Sequence, residues 1–197
     1  MFSKHWLVGW VATLAVVMPA MADVIGADCW ADGDGAVTMG PWTWYWDDGT
    51  QTANMNVPEC QHWAPAHIFT EFITDTPEDP FAWILKEVEN DTTFDWTDYH
   101  INISAPQTFG IVLALEPTGW LSPVITPPTL QGSEWVGAVD YYYGGPGTEI
   151  LMGGTGEFGV RLQFTGSVTF CIEQIPTPEP SSLALLALGA VALLRRR

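Results

Sequence analysis

Residues 99–104 read Tyr99-His100-Ile101-Asn102-Ile103-Ser104. Apolar and polar side chains alternate without a break. An extended chain therefore puts Tyr99, Ile101 and Ile103 on one face and His100, Asn102 and Ser104 on the other, the pattern of a half-buried strand. The same period runs through neighbouring stretches. In 81–88 it sets Ala82, Ile84, Lys86 and Val88 against Phe81, Trp83, Leu85 and Glu87. In 67–74 it sets Ile68, Thr70 and Phe72 against Phe69, Glu71 and Ile73. Residues 109–116 place Phe109, Ile111, Leu113 and Leu115 together. Stretches 37–46, 134–143, 157–164 and 167–172 also read as strands. Turn clusters separate them at Asp32-Gly33-Asp34-Gly35, Asp47-Asp48-Gly49, 75–80, Gly144-Gly145-Pro146-Gly147 and Gly153-Gly154-Thr155-Gly156. Residues 117–132, with four prolines and two glycines, read as a long loop. About eight strands and no amphipathic helix before residue 180 predict an all-β domain, an antiparallel β-sandwich of jelly-roll or immunoglobulin-like type. Strand order is not readable at this level.

Both ends differ from this middle. Residues 1–5 carry Lys4, 6–18 are an apolar core of thirteen residues, and Ala20-Met21-Ala22 is a small-x-small site. This predicts a secretory signal helix over 1–22, cut between Ala22 and Asp23. At the other end, Pro178-Glu179-Pro180-Ser181-Ser182 precedes the apolar run 183–194 and then Arg195, Arg196 and Arg197. The run and its two serines rise only about 21 Å as a helix, short for a bilayer span. The three arginines hold their end in the cytoplasm, which places the preceding chain on the far side of the membrane. The expected division is 1–22 signal peptide, 23–175 exported domain, and 176–197 linker plus anchor, with 175–180 an extended proline-rich spacer.

The Pro178-Glu179-Pro180 motif, the short apolar run and the terminal Arg195–Arg197 together resemble the PEP-CTERM sorting signal of Gram-negative bacteria. The resemblance covers about a tenth of the chain. It implies processing by exosortase, a membrane-embedded cysteine protease that cuts near the motif, after signal peptidase has acted at the N-terminus. It also implies a transient inner-membrane anchor, then a place at the cell surface or outside, often with exopolysaccharide or biofilm. The stretch from Asn90 to His100, with its Asp95-Trp96-Thr97 and Tyr99-His100, is similar to one in other exported β-proteins of this kind. By its Asx-turn residues it reads as a structural corner.

Four of the six basic residues, Lys4 and Arg195–Arg197, lie in the terminal segments. Lys86 and Arg161 remain against 23 carboxylates, a net charge of about −21 for the exported part. Such a surface repels nucleic acid and anionic lipid and attracts cations. Three cysteines, Cys29, Cys60 and Cys171, allow three pairings in an oxidising compartment. Cys29 with Cys60 is preferred because the loop it closes is local.

Trp42, Trp44 and Trp46 recur at period two, so a strand puts three indoles on one face. Turned inward they are half of a core; turned outward they are a stacking platform for sugar rings. The core reading ranks first. Asp28, Asp32 and Asp34 lie in a glycine-containing loop, and Asp47 and Asp48 in another. Hard oxygen donors of this kind suit Ca²⁺, although the spacing is not that of an EF-hand. No other cofactor is indicated. Single histidines at 62, 67 and 100, no Gly-x-Ser-x-Gly elbow and no phosphate loop leave catalysis without support. The expectation is a non-enzymatic, exported surface protein of the extracellular matrix. The alternatives are a carbohydrate-binding module on the Trp42–Trp46 row and, less favoured, a secreted hydrolase.

Overall fold

A computed structural model describes residues 22–178. The predicted signal helix and the apolar tail run lie outside the described residues. Twelve strands are present among these: β1 (Val24–Ala31), β2 (Val37–Met39), β3 (Thr43–Asp47), β4 (Thr52–Gln61), β5 (Ala66–Thr74), β6 (Phe81–Asn90), β7 (Asp98–Ala105), β8 (Phe109–Leu115), β9 (Val124–Gln131), β10 (Glu134–Tyr142), β11 (Thr155–Phe164) and β12 (Val168–Thr177). No helix of these residues is long and apolar enough to cross a membrane.

The strands form two sheets. The first has the order β1-β5-β12-β7-β10-β9; the second has the order β2-β4-β6-β11-β8, with β3 also paired to β4. Successive strands mostly alternate between the sheets. The chain leaves the second sheet after β4, builds β5 in the first, and returns as β6. That crossover makes β4 and β6 parallel neighbours, and the second sheet is mixed rather than purely antiparallel.

One apolar layer joins the two sheets. Tyr99 of β7 stacks on Phe158 of β11 with ring centroids 4.1 Å apart, and Tyr141 of β10 meets the same ring edge-on at 5.2 Å. Phe72, Phe164 and Phe170 form a second aromatic knot at the other end of this layer, closed by Phe109 against Phe170. The alternation read from 99–104 and 81–88 holds: Tyr99, Ile101 and Ile103 are buried, as are Ala82, Ile84, Lys86 and Val88.

Five expectations differ from the structure, each for a physical reason. The strand expected over 37–46 is broken into β2 and β3. Pro41 has no N–H to give, and Gly40 presses its backbone onto Pro58, donating its N–H to the Pro58 carbonyl at 2.8 Å. The loop expected over 117–132 contains β9 despite Pro127 and Pro128. This strand is the edge of its sheet, where prolines are tolerated, and its register to β10 shifts between Val136 and Ala138. On β8 a register shift between Arg161 and Leu162 turns Leu113 and Leu115 outward and Ala114 inward. The strands β1 and β4 went unread because glycine, aspartate, asparagine and proline dilute their β-pattern. Finally, β12 runs on through Thr177, where Ile175, Pro176 and Thr177 pair with His100, Tyr99 and Asp98. The spacer expected from 175 therefore begins only at Pro178.

Lys86 is one of two basic residues between 22 and 178, and it is in the core. Its Nζ lies 2.8 Å from Oε1 of Glu59, and both side chains are 0% exposed. Burial pushes the Lys86 ammonium below its ordinary range while Glu59 holds it up. Gln174 donates to the other Glu59 oxygen at 3.2 Å. The Tyr99 hydroxyl sits between the side-chain carbonyls of Gln61, at 2.9 Å, and Gln174. Gln61 in turn donates to the main-chain carbonyls of Trp63 and Gln174 at 3.0 and 3.3 Å. Removing one ion strands the other in an apolar layer, which costs about 3–5 kcal/mol. Lys86→Met and Glu59→Leu singly should each lose that much in denaturant melts. The double variant should recover most of it, a positive coupling that a surface pair would not show.

Candidate functional site

The outer face of the mixed sheet carries the most distinctive surface. Reading across the strands in register, Tyr45 of β3 pairs with Asn54 of β4, Asn54 with Trp83 of β6, Trp83 with Arg161 of β11, and Arg161 with Leu113 of β8. These five side chains form one row across the sheet, about 19 Å long at the usual strand spacing of about 4.8 Å. Tyr45 is 64% exposed and Leu113 52%. Two shallow pockets of about 250 and 320 Å³ share Asn54 and Trp83 as a common wall. They make one trough along the row, with Asn56 and Thr43 lining one end and Asp47 and Arg161 the other.

Local chemistry fixes each member. The Trp83 indole lies against Gly159, where any Cβ would come within 2.8 Å of the ring. The Arg161 guanidinium sits 4.3 Å above the Phe81 ring and donates to the Thr52 hydroxyl at 3.0 Å. Half-buried, it is the Lys or Arg that reaches the described surface, which is rich in carboxylates, since Lys86 is buried. Asp47 accepts from the Thr50 hydroxyl at 2.8 Å and from the Gly49 N–H at 2.9 Å. Those bonds hold its carboxyl below the usual range. Asp47 is thus committed to a turn.

Trp42, Trp44 and Trp46 do share a face, but it is the inner one. All three are half-buried and pack against the core, while Thr43 and Tyr45 point outward. A stacking platform on this strand is therefore Tyr45, with Trp83 two strands away, and not the tryptophan row. Sequence alternation had already put Trp83 opposite Ala82 and Ile84. What it could not show was that β3, β4 and β6 stand side by side.

The acidic trio is divided. Asp32 and Asp34 come together with His67, their ligand atoms within 4.8 Å of one another. Asp28 is four residues up β1, about 13 Å away along an extended chain, and accepts from the N–H of Cys29 at 2.8 Å. Asp32 and Asp34 accept backbone N–H groups of Asp34 and Ala36 at 3.1 and 2.7 Å, and His67 faces Asp32 at 3.2 Å and Glu173 at 3.4 Å. An imidazole among turn-capping carboxylates is not the oxygen cage that calcium takes.

The three cysteines are free and lie on three different surfaces. Cys29 faces the core, where burial pushes its thiol up to about 12. Cys60 lies on the outer face of the mixed sheet and Cys171 on the outer face of the other, by the alternation of β4 and β12. A Cys29–Cys60 bridge would have to pass through the sheet. Burial, first, and then nearby carboxylates raise the Cys60 and Cys171 thiols as well, so none is a ready nucleophile.

At the ends, Asp23 donates its N–H to Asp75 at 3.0 Å. Ala22 is the first described residue, and Ala20 lies outside the described residues. Pro178 directly follows β12, while Glu179, Pro180 and Arg195–Arg197 lie outside the described residues. Residues 176–197 match the PEP-CTERM protein-sorting motif. No curated protein and no solved structure matches the chain.

With three separated thiols, alkylation of the folded, reduced protein should label the half-buried Cys60 and Cys171, slowly because their thiols are raised. Cys29 should be labelled only after denaturation. Peptide mapping of the labelled sites checks this, and a Cys29–Cys60 peptide under non-reducing conditions would refute it.

Proposed function

We propose that this exported protein, sorted by exosortase through its PEP-CTERM motif, is a non-enzymatic polysaccharide-associating protein of the cell surface. The observation that carries the reading is the row Tyr45–Asn54–Trp83–Arg161 on the outer face of the mixed sheet. Tyr45 and Trp83 stand about 9.6 Å apart, two strand spacings. Rings at that separation serve alternate sugar units of an extended glycan, whose axial C–H bonds face the negative π-cloud. Asn54, Asn56 and Arg161 supply donors and acceptors between and beside them for ring hydroxyls. The net charge of about −21 disfavours anionic polymers, so the reading is a neutral polysaccharide of the matrix. The scaffold in this reading is a rigid β-sandwich whose two faces are set by one register.

Nothing in the trough argues for bond cleavage. The Asp47 carboxylate nearest it is capping a turn, and the one cation is already seated on Phe81 and Thr52. The trough is open, as a polymer running across it requires.

Two expected outcomes follow. In native gels cast with a neutral glucan, the wild-type protein should be retarded. Tyr45→Ala and Trp83→Ala should each run at the mobility seen without glucan. Tyr45→Ala should cost under about 1 kcal/mol of stability, since it is an exposed side chain. Retardation unchanged in both variants would end the glycan reading. Separately, changing Pro178-Glu179-Pro180 to alanines should stop tail processing and leave the full-length form in the membrane fraction, read by gel mobility.

A further inference from the structure

The outer face of the mixed sheet holds a second feature, away from the trough. Cys60 is the penultimate residue of β4, His62 follows just after its end, and Asp91 follows the end of β6. The parallel pairing sets Gln61 beside Asn90 and continues one step further, with the Asp91 N–H donating to the Gln61 carbonyl at 3.0 Å. Two strands running in the same direction thus end together. Gln61 and Asn90 at their tips are buried, and Cys60, His62 and Asp91, which flank them, face outward side by side. The sulfur of Cys60, a ring nitrogen of His62 and a carboxylate oxygen of Asp91 lie within 4.8 Å of one another.

We propose that Cys60, His62 and Asp91 bind a borderline divalent cation of the zinc class. The donor set is thiolate, imidazole and carboxylate, the three side-chain types that zinc takes in tetrahedral sites. It is not a calcium set, because sulfur and nitrogen donors select the borderline metals. Three protein ligands leave the fourth position to water.

The groups around the cluster hold it in place. His62 Nδ1 lies 2.7 Å from Asp91 Oδ2, and its Nε2 lies 2.9 Å from the Thr38 hydroxyl. The hydroxyl can donate to that nitrogen or accept from it. When a cation occupies the cluster, Nδ1 gives up its proton to bind the metal and Nε2–H donates to Thr38, which fixes the tautomer and the ring plane. Asp91 is the exposed partner, with 64% of its side chain in solvent against 28% for His62. Its backbone is nonetheless fixed on both sides. Asn90 is fully buried and donates to the Phe94 and Ile150 carbonyls, and its own oxygen takes the Thr92 N–H at 3.0 Å. Thr92 is buried too and accepts from the Trp96 indole N–H at 3.0 Å. The corner read in the sequence as structural is what presents Asp91 to His62. Beside the cluster, Glu87 and Glu89 line the same shallow pocket as Thr38 and Cys60, adding negative potential that favours a cation. Binding is balanced by release of the Cys60 thiol proton to solvent; a neutral His62 protonated on Nδ1 moves that proton to Nε2, and an imidazolium loses its Nδ1 proton to solvent.

The test uses the full chain in detergent, kept reduced with a phosphine and titrated with Co²⁺ as a spectroscopic stand-in for zinc. The expected result is one equivalent bound, with a sulfur-to-cobalt charge-transfer absorption and the intense visible bands of tetrahedral Co²⁺, both abolished by added Zn²⁺. Cys60→Ser should lose the charge-transfer absorption, and His62→Gln should weaken binding at least tenfold. Cys171→Ser should change neither. In the unaltered chain, zinc should slow alkylation of Cys60 while leaving Cys171 as reactive as before, a readout that does not depend on any variant folding. Absence of the charge-transfer band in the unaltered chain, its persistence in Cys60→Ser, or zinc protection of both thiols alike would overturn the proposal.

Discussion

The ion pair between Lys86 and Glu59 is the constraint on which the rest of the structure depends. Two ions taken out of water tolerate few arrangements, because each must face the other and satisfy its remaining bonds. Glu59 is on β4 and Lys86 is on β6, so the pair ties the one parallel junction among the described strands. Gln174 and Tyr99 come from the opposite sheet and complete the network, so the tie also runs between layers. Alternation then propagates the choice outward. With Glu59 and Lys86 inward, Asn54, Asn56 and Cys60 must face out on β4, and Trp83, Glu87 and Glu89 must face out on β6. A slip of one residue in either strand would bury Cys60 or Trp83 and expose Ala53 or Ile84. The trough and the cation cluster are thus outer-face consequences of an inner-face pair.

How much of this was legible in the sequence depends on the range of the interaction. The face assignment of 81–88 could be read because alternation is local, and it included the odd fact of a lysine on the apolar face. Nothing local said that Glu59 would be its partner, since β4 carries asparagines and a proline and does not read as a strand. The parallel junction was equally hidden. It arises because β5 is placed in the other sheet between β4 and β6, and that is a matter of how the whole chain packs. The tryptophan row was correctly placed on one face of a strand, but a single strand cannot say which face is inward. Tyr45, which lies between two of those tryptophans, was the outward residue. The Cys60-x-His62 spacing puts a thiol near an imidazole, yet Asp91 joins them only through the register of a distant strand.

The resemblance at the tail and the fold of the domain inform different things. The sorting motif says that the protein is exported and processed at the membrane. It leaves the 153 residues or so of the domain to speak through their own surface. That surface carries a stripe of aromatic, amide and guanidinium groups across the mixed sheet, and elsewhere many carboxylates among scattered apolar side chains. The contrast matters because only the stripe sets aromatic rings beside amide and guanidinium groups in one register.

The junction between domain and tail adds a mechanical point. Thr177 is still paired to Asp98, and the Thr97 N–H donates to the Thr177 carbonyl at 3.2 Å. The sorting motif therefore begins where a central strand of the first sheet ends, with no free spacer before Pro178. β12 lies between β5 and β7, so its last residues cannot peel away without opening ladders on one or both sides. Proline at 178 and 180 has no N–H to donate to a ladder. The last pair of β12 is at Thr177, one residue before the Pro178-Glu179-Pro180 motif, so a cut beyond Pro178 would leave every pair of β12 in place.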